Sequence, residues 1–210
     1  NNNIEDYEKI LDACNDNTHT ICYNQYEDTY QTLLTQFREL DIDPNISNVA
    51  IMTHNNGDSL SFKLLDNEAP MTLSDSDSTL ETWANFINFL KNLNLASGAN
   101  LDFLACALLE EPNWQWSLNK LEEKLGDLNV NVRASDDDTG NLKVGGDWVL
   151  ESDNVNIKDV YFTEDIGVWW GVLGIAHHTA VVTQSGKVYT CGYNNYGQLG
   201  LGDTVDRDTP

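Results

Sequence analysis

Short, nearly continuous apolar runs that alternate with helical periodicity are the feature that most constrains this chain. One run covers residues 47–54 and another covers residues 100–106. Strands of this composition are buried on both faces, as the strands of parallel sheets are. Between the runs, residues 78–93 place leucine and aromatic side chains at helical spacing. This alternation predicts an α/β domain with a mostly parallel sheet flanked by helices.

Local signals predict the other elements of this domain. Ser78 is expected to cap the helix that it begins, with Glu81 completing a capping box. The remaining predictions are helices over residues 26–40 and 113–126, strands over 58–65 and 129–135, and a final hairpin or edge strand over 142–152.

Composition narrows the class of protein. Of the 210 residues, 40% are hydrophobic, and only 11 are basic against a formal net charge of -23. A chain this acidic repels phosphate backbones and anionic membrane surfaces, so we expect no nucleic-acid or membrane partner. The apolar runs are shorter than the roughly 20 residues that span a bilayer. The balance suits a soluble, secreted protein or a salty environment. In an extracellular or cell-surface protein, Cys14 and Cys22 are close enough in sequence for a local disulfide.

The character of the sequence changes after Ile166. Helical periodicity stops there, and residues 171–203 are rich in glycine and in short β-prone runs. Residues 179–192 read as a hairpin that turns at Ser185 and Gly186. We therefore predict a first domain over residues 1–157, a linker over 158–167 and a second domain over 168–210.

The two apolar runs of the first domain end on His54 and on Cys106. The carboxyl ends of adjacent parallel strands meet at one edge of a sheet, which is where sites form in open α/β sheets. A cysteine thiolate, a histidine base and backbone donors near Asn55 and Gly57 would supply nucleophile, base and oxyanion site. The alternative is that Cys106 is a small buried hydrophobic residue and His54 a polar residue at a strand end.

An acidic turn follows the next strand at the same edge. Asp136, Asp137 and Asp138 would there form a pocket that selects a basic residue before the scissile bond. A plain acidic turn closed by Gly140 is the alternative. A Ca²⁺ loop is a third interpretation, although the spacing does not match an EF-hand. The sequence thus predicts no metal or cofactor, with Ca²⁺ kept as the exception.

The run "VRASDDDTGNLKVGGDWVLES" (residues 132–152) and the strands that end at His54 and Cys106 resemble the DUF4347 family. The resemblance covers about residues 4 to 157. It implies a caspase-like cysteine peptidase fold, with one further strand upstream and with His54 and Cys106 as the dyad. The family tends to carry His-Gly where this chain has His54-Asn55, and Gly-Cys-Asn where it has Ala105-Cys106-Ala107.

The run "GIAHHTAVVTQSGKVYTCGYNNYGQLGLGD" (residues 174–203) resembles one repeat of the RCC1 β-propeller family. A propeller buries its sheets only when several blades stack. The resemblance therefore implies the first blade of an incomplete propeller, which belongs to a longer chain or assembly. His177 and His178 fall in the region of the repeat's structural histidine.

Two functions are compatible with these features. The first is a caspase-like cysteine endopeptidase, including self-processing, that acts on a protein or peptide and carries a propeller for protein partners. The second is a catalytically inactive caspase-like domain that serves as a surface, adhesion or assembly module of a large secreted protein. The retained Cys106 and His54 favour the first function. The departure from His-Gly and the attached propeller favour the second.

Overall fold

The computed structural model describes residues 4, 6–40, 42, 45–53, 61–62, 65, 71–72, 83–106, 108–110, 112–171, 173, 178–182, 187–192, 200–203, 205 and 207. The chain divides into two compact units, Asn1–Gly174 and Ile175–Pro210.

Helices and short strands alternate along the first unit. The helices are α1 (Tyr7–Asp12), α2 (Tyr30–Glu39), α3 (Ala84–Lys91), α4 (Pro112–Lys124) and α5 (Lys158–Tyr161). The strands are β1 (Ile46–Met52), β2 (Ser61–Phe62), β3 (Met71–Thr72), β4 (Leu95–Leu104), β5 (Asn131–Ala134), β6 (Val149–Leu150) and β7 (Val155–Asn156). Within the part of the chain that is described, every helix is too short or too polar to cross a membrane.

The central feature is a parallel sheet, which the described residues form from three strands in the order β1–β4–β5. In the pairing of β1 with β4, Met52 lies opposite Leu104, and in the pairing of β4 with β5, Phe103 lies opposite Ala134. The α/β alternation of the sequence is therefore confirmed as a mixed fold built on a parallel sheet. The strand β4 is its middle member, so the carboxyl end of β4 is flanked on both sides.

Side chains of β4 alternate between two hydrophobic cores. Leu101, Phe103 and Ala105 pack with the apolar faces of α2, α3 and α4, whereas Leu104 and Cys106 pack with residues from α1 and from the chain after β5. Successive strand residues point to opposite faces of a sheet. The sheet therefore has a core on each face, which explains the continuous apolar run of β4.

The helix α2 shows how local sequence fixes an element. The Thr29 hydroxyl accepts from the Thr32 N–H at 3.1 Å, and the Thr32 hydroxyl accepts from the Thr29 N–H at 2.9 Å. This reciprocal capping box satisfies two backbone donors at the start of the helix. The helical spacing then buries Leu33, Leu34 and Phe37 on one face, as the periodicity predicts.

The segment that the sequence assigns to a linker, residues 158–167, is folded into the first unit. It contains α5 and the beginning of a 3-10 turn, Glu164–Val168. Tyr161, Phe162 and Ile166 are buried in the second core with Trp148. Their burial comes from packing with residues that are distant in sequence, such as Leu104 and Trp148, so the local pattern did not reveal it.

Three local predictions differ from the structure or lie outside it. The helix α3 begins at Ala84, and the expected capping residues Ser78 and Glu81 lie outside the described residues. Residues 142–152 begin with a 3-10 turn, and their only strand, β6, pairs with β7 further along the chain. Cys14 and Cys22 are free thiols, so the expected local disulfide is absent.

The second unit contains a hairpin of β8 (His178–Val182) and β9 (Val188–Gly192). The two strands are antiparallel, with His178 opposite Gly192 and Val182 opposite Val188. This is the hairpin that the sequence predicts. The predicted turn residues Ser185 and Gly186 and the neighbouring His177 lie outside the described residues.

Candidate functional site

The carboxyl ends of β1 and β4 meet at the same edge of the sheet. Thr53, the residue after β1, donates its N–H to the Leu104 carbonyl at 3.2 Å. Cys106 comes shortly after Leu104, and His54 directly follows Thr53 in the chain. His54, Asn55 and Gly57, the predicted base and oxyanion residues, lie outside the described residues.

Cys106 is buried at the end of β4, with 3% of its surface exposed. Its Sγ lies 3.7 Å from the carbonyl oxygen of Thr139. Burial is the main cause that raises the pKa of the Cys106 thiol to about 12, and the negative charge of Asp138 contributes. The thiol is therefore protonated at neutral pH, and the thiolate is the form of cysteine that attacks a carbonyl or binds a metal.

The backbone around Cys106 is closed by two distant segments. The Cys106 N–H donates to the Leu173 carbonyl at 3.1 Å. The Thr139 hydroxyl donates to the carbonyl of Ala105 at 3.5 Å. The N–H of a nucleophilic residue is a usual donor to an oxyanion. In this structure that donor is already engaged by the chain itself.

The three aspartates of the acidic turn are all exposed. Asp138 raises the pKa of the Cys106 thiol, and its carbonyl accepts from the Asp147 N–H at 2.8 Å. Asp136 and Asp137 instead lie beside Glu151. Burial and the charge of Glu151 raise the pKa of Asp137. Asp137 also raises the pKa of the Cys106 thiol, although less than Asp138 does, and the basic-residue pocket stays a prediction.

Among the residues that the structure describes, Asp136, Asp137 and Glu151 form a cluster that could hold a metal ion. One ligand atom from each lies within 4.8 Å of the others. One Glu151 oxygen already accepts from the Ser135 hydroxyl at 2.8 Å and from the Asp136 N–H at 3.0 Å. Asp137 Oδ1 also accepts from the Ser135 hydroxyl, at 3.2 Å, so two of the three carboxylates are engaged within the turn.

A buried ionic network lies near this edge, and the sequence patterns did not identify it. Arg133 donates from Nε to Asp102 Oδ1 at 2.6 Å and from Nη2 to Oδ2 at 2.7 Å. The Tyr161 hydroxyl donates to Oδ2 at 2.5 Å. Asp102 and Arg133 face each other in the register of β4 and β5. The signal that could have identified this pair is an acidic residue and a basic residue placed in two neighbouring, largely apolar strand segments.

A shallow groove of about 240 Å³ lies between α2 and α3. Tyr30, Leu34 and Phe89 contribute its apolar wall, and Gln31, Asn85 and Asn88 contribute amide groups. Cys106 does not line this groove. The groove therefore adds nothing to a site at the sheet edge.

Comparison with known proteins assigns both parts of the chain. The model of the family described as "Domain of unknown function (DUF4347)" matches residues 1–173, and that of the "Regulator of chromosome condensation (RCC1) repeat" matches residues 185–210. Both resemblances drawn from the sequence, and their order, are confirmed. No solved structure matches the chain.

The curated relatives match this chain over short stretches. The X-linked retinitis pigmentosa GTPase regulator of Mus musculus is 67% identical over 33 residues, which is 16% of this chain and 3% of that protein. RCC1 domain-containing protein 1 of Homo sapiens is 54% identical over 35 residues, 17% of this chain and 9% of that protein. The Ultraviolet-B receptor UVR8 of Arabidopsis thaliana is 54% identical over 35 residues, 17% of this chain and 8% of that protein. The chain thus spans less than a tenth of each relative.

Proposed function

Since this chain belongs to the DUF4347 family, whose function is unknown, we propose that it is a non-catalytic protein-interaction module. In this proposal the first unit is a caspase-like scaffold without peptidase activity. The second unit is a propeller repeat that joins further repeats. The whole serves surface adhesion or assembly in a large extracellular or cell-surface protein.

The state of Cys106 is the observation that carries this proposal. A cysteine peptidase needs a thiolate that a substrate carbonyl can reach. Here the thiol is buried, its pKa is raised to about 12, and an acidic neighbour opposes its ionisation. The thiol therefore behaves as a small hydrophobic side chain in the second core, where it packs beside Leu104 and Trp148.

The repeat supports the same function independently. RCC1 repeats are typically parts of propellers that bind proteins. The hairpin of β8 and β9 contributes one strand pair to such a blade. Blades gain stability from their neighbours, so a propeller repeat favours a large assembly over a small free-standing enzyme.

A cysteine endopeptidase is the second candidate function. It is favoured by the hydrogen bond from Thr53 to Leu104, because this bond brings the chain that precedes His54 to the edge where Cys106 lies. In that mechanism His54 takes the thiol proton and Cys106 attacks the peptide carbonyl. Backbone N–H groups of Asn55 and Gly57 would then hold the oxyanion.

The alkylation rate of Cys106 as a function of pH separates the two functions. The peptide that contains Cys106 is followed by mass spectrometry, in the native chain and in His54→Ala. The interaction module predicts slow alkylation at pH 7 that is unchanged by the substitution. Rapid alkylation with an apparent pKa well below the free-thiol value of about 8.5, lost in His54→Ala, would establish an activated dyad, overturn the non-catalytic proposal and justify a search for the cleaved bond.

A further inference from the structure

Gly171 and Leu173, near the end of the first unit, lie along the chain that follows β5 like parts of a bound peptide. The Asn141 N–H donates to the Gly171 carbonyl at 3.0 Å, and the Leu173 N–H donates to the Thr139 carbonyl at 2.8 Å. The two bonds run in opposite directions between the two segments. Within each segment the bonded residues are two positions apart, which is the spacing of an antiparallel strand pair. We call the described residues of this stretch, Trp169, Trp170, Gly171 and Leu173, the cover segment.

Burial along the cover segment alternates as it does in a strand. Trp170, like Val168 just before the segment, is largely exposed, whereas Trp169 is 2% exposed and Leu173 is fully buried. The Trp169 ring packs on Trp148, with ring centroids 5.8 Å apart. An extended peptide presents alternate side chains to one face. Trp169 and Leu173, four positions apart, are therefore its two anchors.

A main-chain carbonyl of the cover segment accepts a hydrogen bond from the backbone at the end of β4. Its Leu173 carbonyl accepts from the Cys106 N–H at 3.1 Å. At its other end, Asn141 Nδ2 donates to the Trp169 carbonyl at 2.5 Å and to the Gly167 carbonyl at 3.3 Å. These bonds hold the backbone and leave the anchor side chains to provide selectivity, as in recognition by strand addition.

We propose that the cover segment occupies in cis a peptide-binding cleft, and that the cleft takes in trans an extended peptide with an aromatic residue four positions before a leucine. This inference rests on the proposed interaction function and names its partner. The cover segment is the last part of the first unit. It can therefore leave the cleft while the order of the sheet strands stays unchanged, and local opening of this kind costs less than global unfolding.

Gly171 offers a substitution that disturbs the cover segment without altering the cleft. A Cβ at Gly171 would lie 2.5 Å from the Trp169 ring, so Gly171→Ala must displace that anchor. Gly167→Ala is the matched control, because a Cβ at Gly167 meets no atom within 4 Å. The probe is a fluorescent peptide with the sequence IGVWWGVLG, residues 166–174 of this chain.

Binding of the probe to the 210-residue chain is measured by fluorescence anisotropy. We expect Gly171→Ala to bind it at least tenfold more tightly than the native chain does, and Gly167→Ala to bind it like the native chain. A probe methylated on the leucine nitrogen lacks the donor to the Thr139 carbonyl, so its affinity should fall at least tenfold.

A second variant keeps the test valid if Gly171→Ala does not fold. Trp169→Leu weakens the same anchor, leaves every main-chain bond of the cover segment in place, and should also bind the probe more tightly. Equal binding of the two probes would overturn the cleft. Absence of probe binding to a folded variant would also overturn it, provided that ready alkylation of Cys106 shows that the cover segment has left. Both results leave the non-catalytic proposal intact. Cleavage of the bound probe would overturn the non-catalytic proposal and keep the cleft.

Discussion

The buried pair of Asp102 and Arg133 allows the stability of the sheet to be tested quantitatively. Asp102 has 0% of its surface exposed, so its carboxylate depends on protein donors alone. Arg133 supplies two of these donors, and the Tyr161 hydroxyl supplies a third. A buried ion without its partner is far more costly than the intact pair is favourable.

Three variants should therefore differ in how much they lower the free energy of unfolding. Arg133→Met preserves an unbranched apolar stem and leaves the carboxylate of Asp102 without a cation, so we expect it to lower the free energy of unfolding by about 3–5 kcal/mol. Tyr161→Phe removes one hydrogen bond to a charged group, for a loss of about 1.5–3 kcal/mol. Replacing both charges in Asp102→Leu/Arg133→Met should cost less than Arg133→Met alone, because no uncompensated charge remains.

Urea unfolding of the full chain, followed by far-UV circular dichroism, measures these differences. Lys120→Met is the control, since Lys120 and Glu123 form an ion pair whose side chains are 35% and 63% exposed. Such a surface pair contributes roughly 0.5 kcal/mol or less. If Arg133→Met were no more destabilising than Lys120→Met, the buried pair would not hold the sheet together and our reasoning would be refuted.

Three further predictions concern the thiol, a helix cap and the acidic cluster. The pKa of Cys106 is raised to about 12 in the folded chain, so the thiol of the unfolded chain loses its proton first, as pH rises above about 8.5. The native chain should therefore lose stability between about pH 8.5 and pH 12 relative to Cys106→Ala. Urea unfolding at each pH measures this loss. Thr29→Ala breaks the capping box of α2 and should lower the free energy of unfolding by about 1 kcal/mol, measured in the same way. Asp136 and Asp137 are exposed, and oxygens of Asp137 and Glu151 already accept hydrogen bonds from the chain, so calorimetric titration should detect no Ca²⁺ binding in the micromolar range.

Each of these predictions has an outcome that would contradict it. Parallel pH profiles for the native chain and Cys106→Ala would mean that the folded thiol ionises as readily as the unfolded one. Unchanged stability in Thr29→Ala would mean that packing of the buried face of α2, and not the capping box, determines where the helix begins. Micromolar Ca²⁺ binding that is lost in Glu151→Gln would make the acidic turn a metal site.

Much of the fold could be predicted because its signals are local. The continuous apolar run before Cys106 and the helical spacing of Leu33, Leu34 and Phe37 each report burial directly, and the structure confirms the strand β4 and the helix α2. The error at residues 158–167 has the opposite origin. Tyr161 and Ile166 are buried by contacts with distant residues, which a reading of neighbouring positions does not detect.

The sequence by itself determined the family, the parallel sheet, and the arrival of the chains bearing His54 and Cys106 at one edge, because apolar runs and strand ends are properties of short segments. Only the tertiary structure decided the state of Cys106. Its thiol meets Thr139, 33 positions later in the chain, and its N–H is engaged by Leu173. Burial and neighbouring charge set the pKa of a thiol, and both are supplied here by residues that lie next to Cys106 only after the chain has folded.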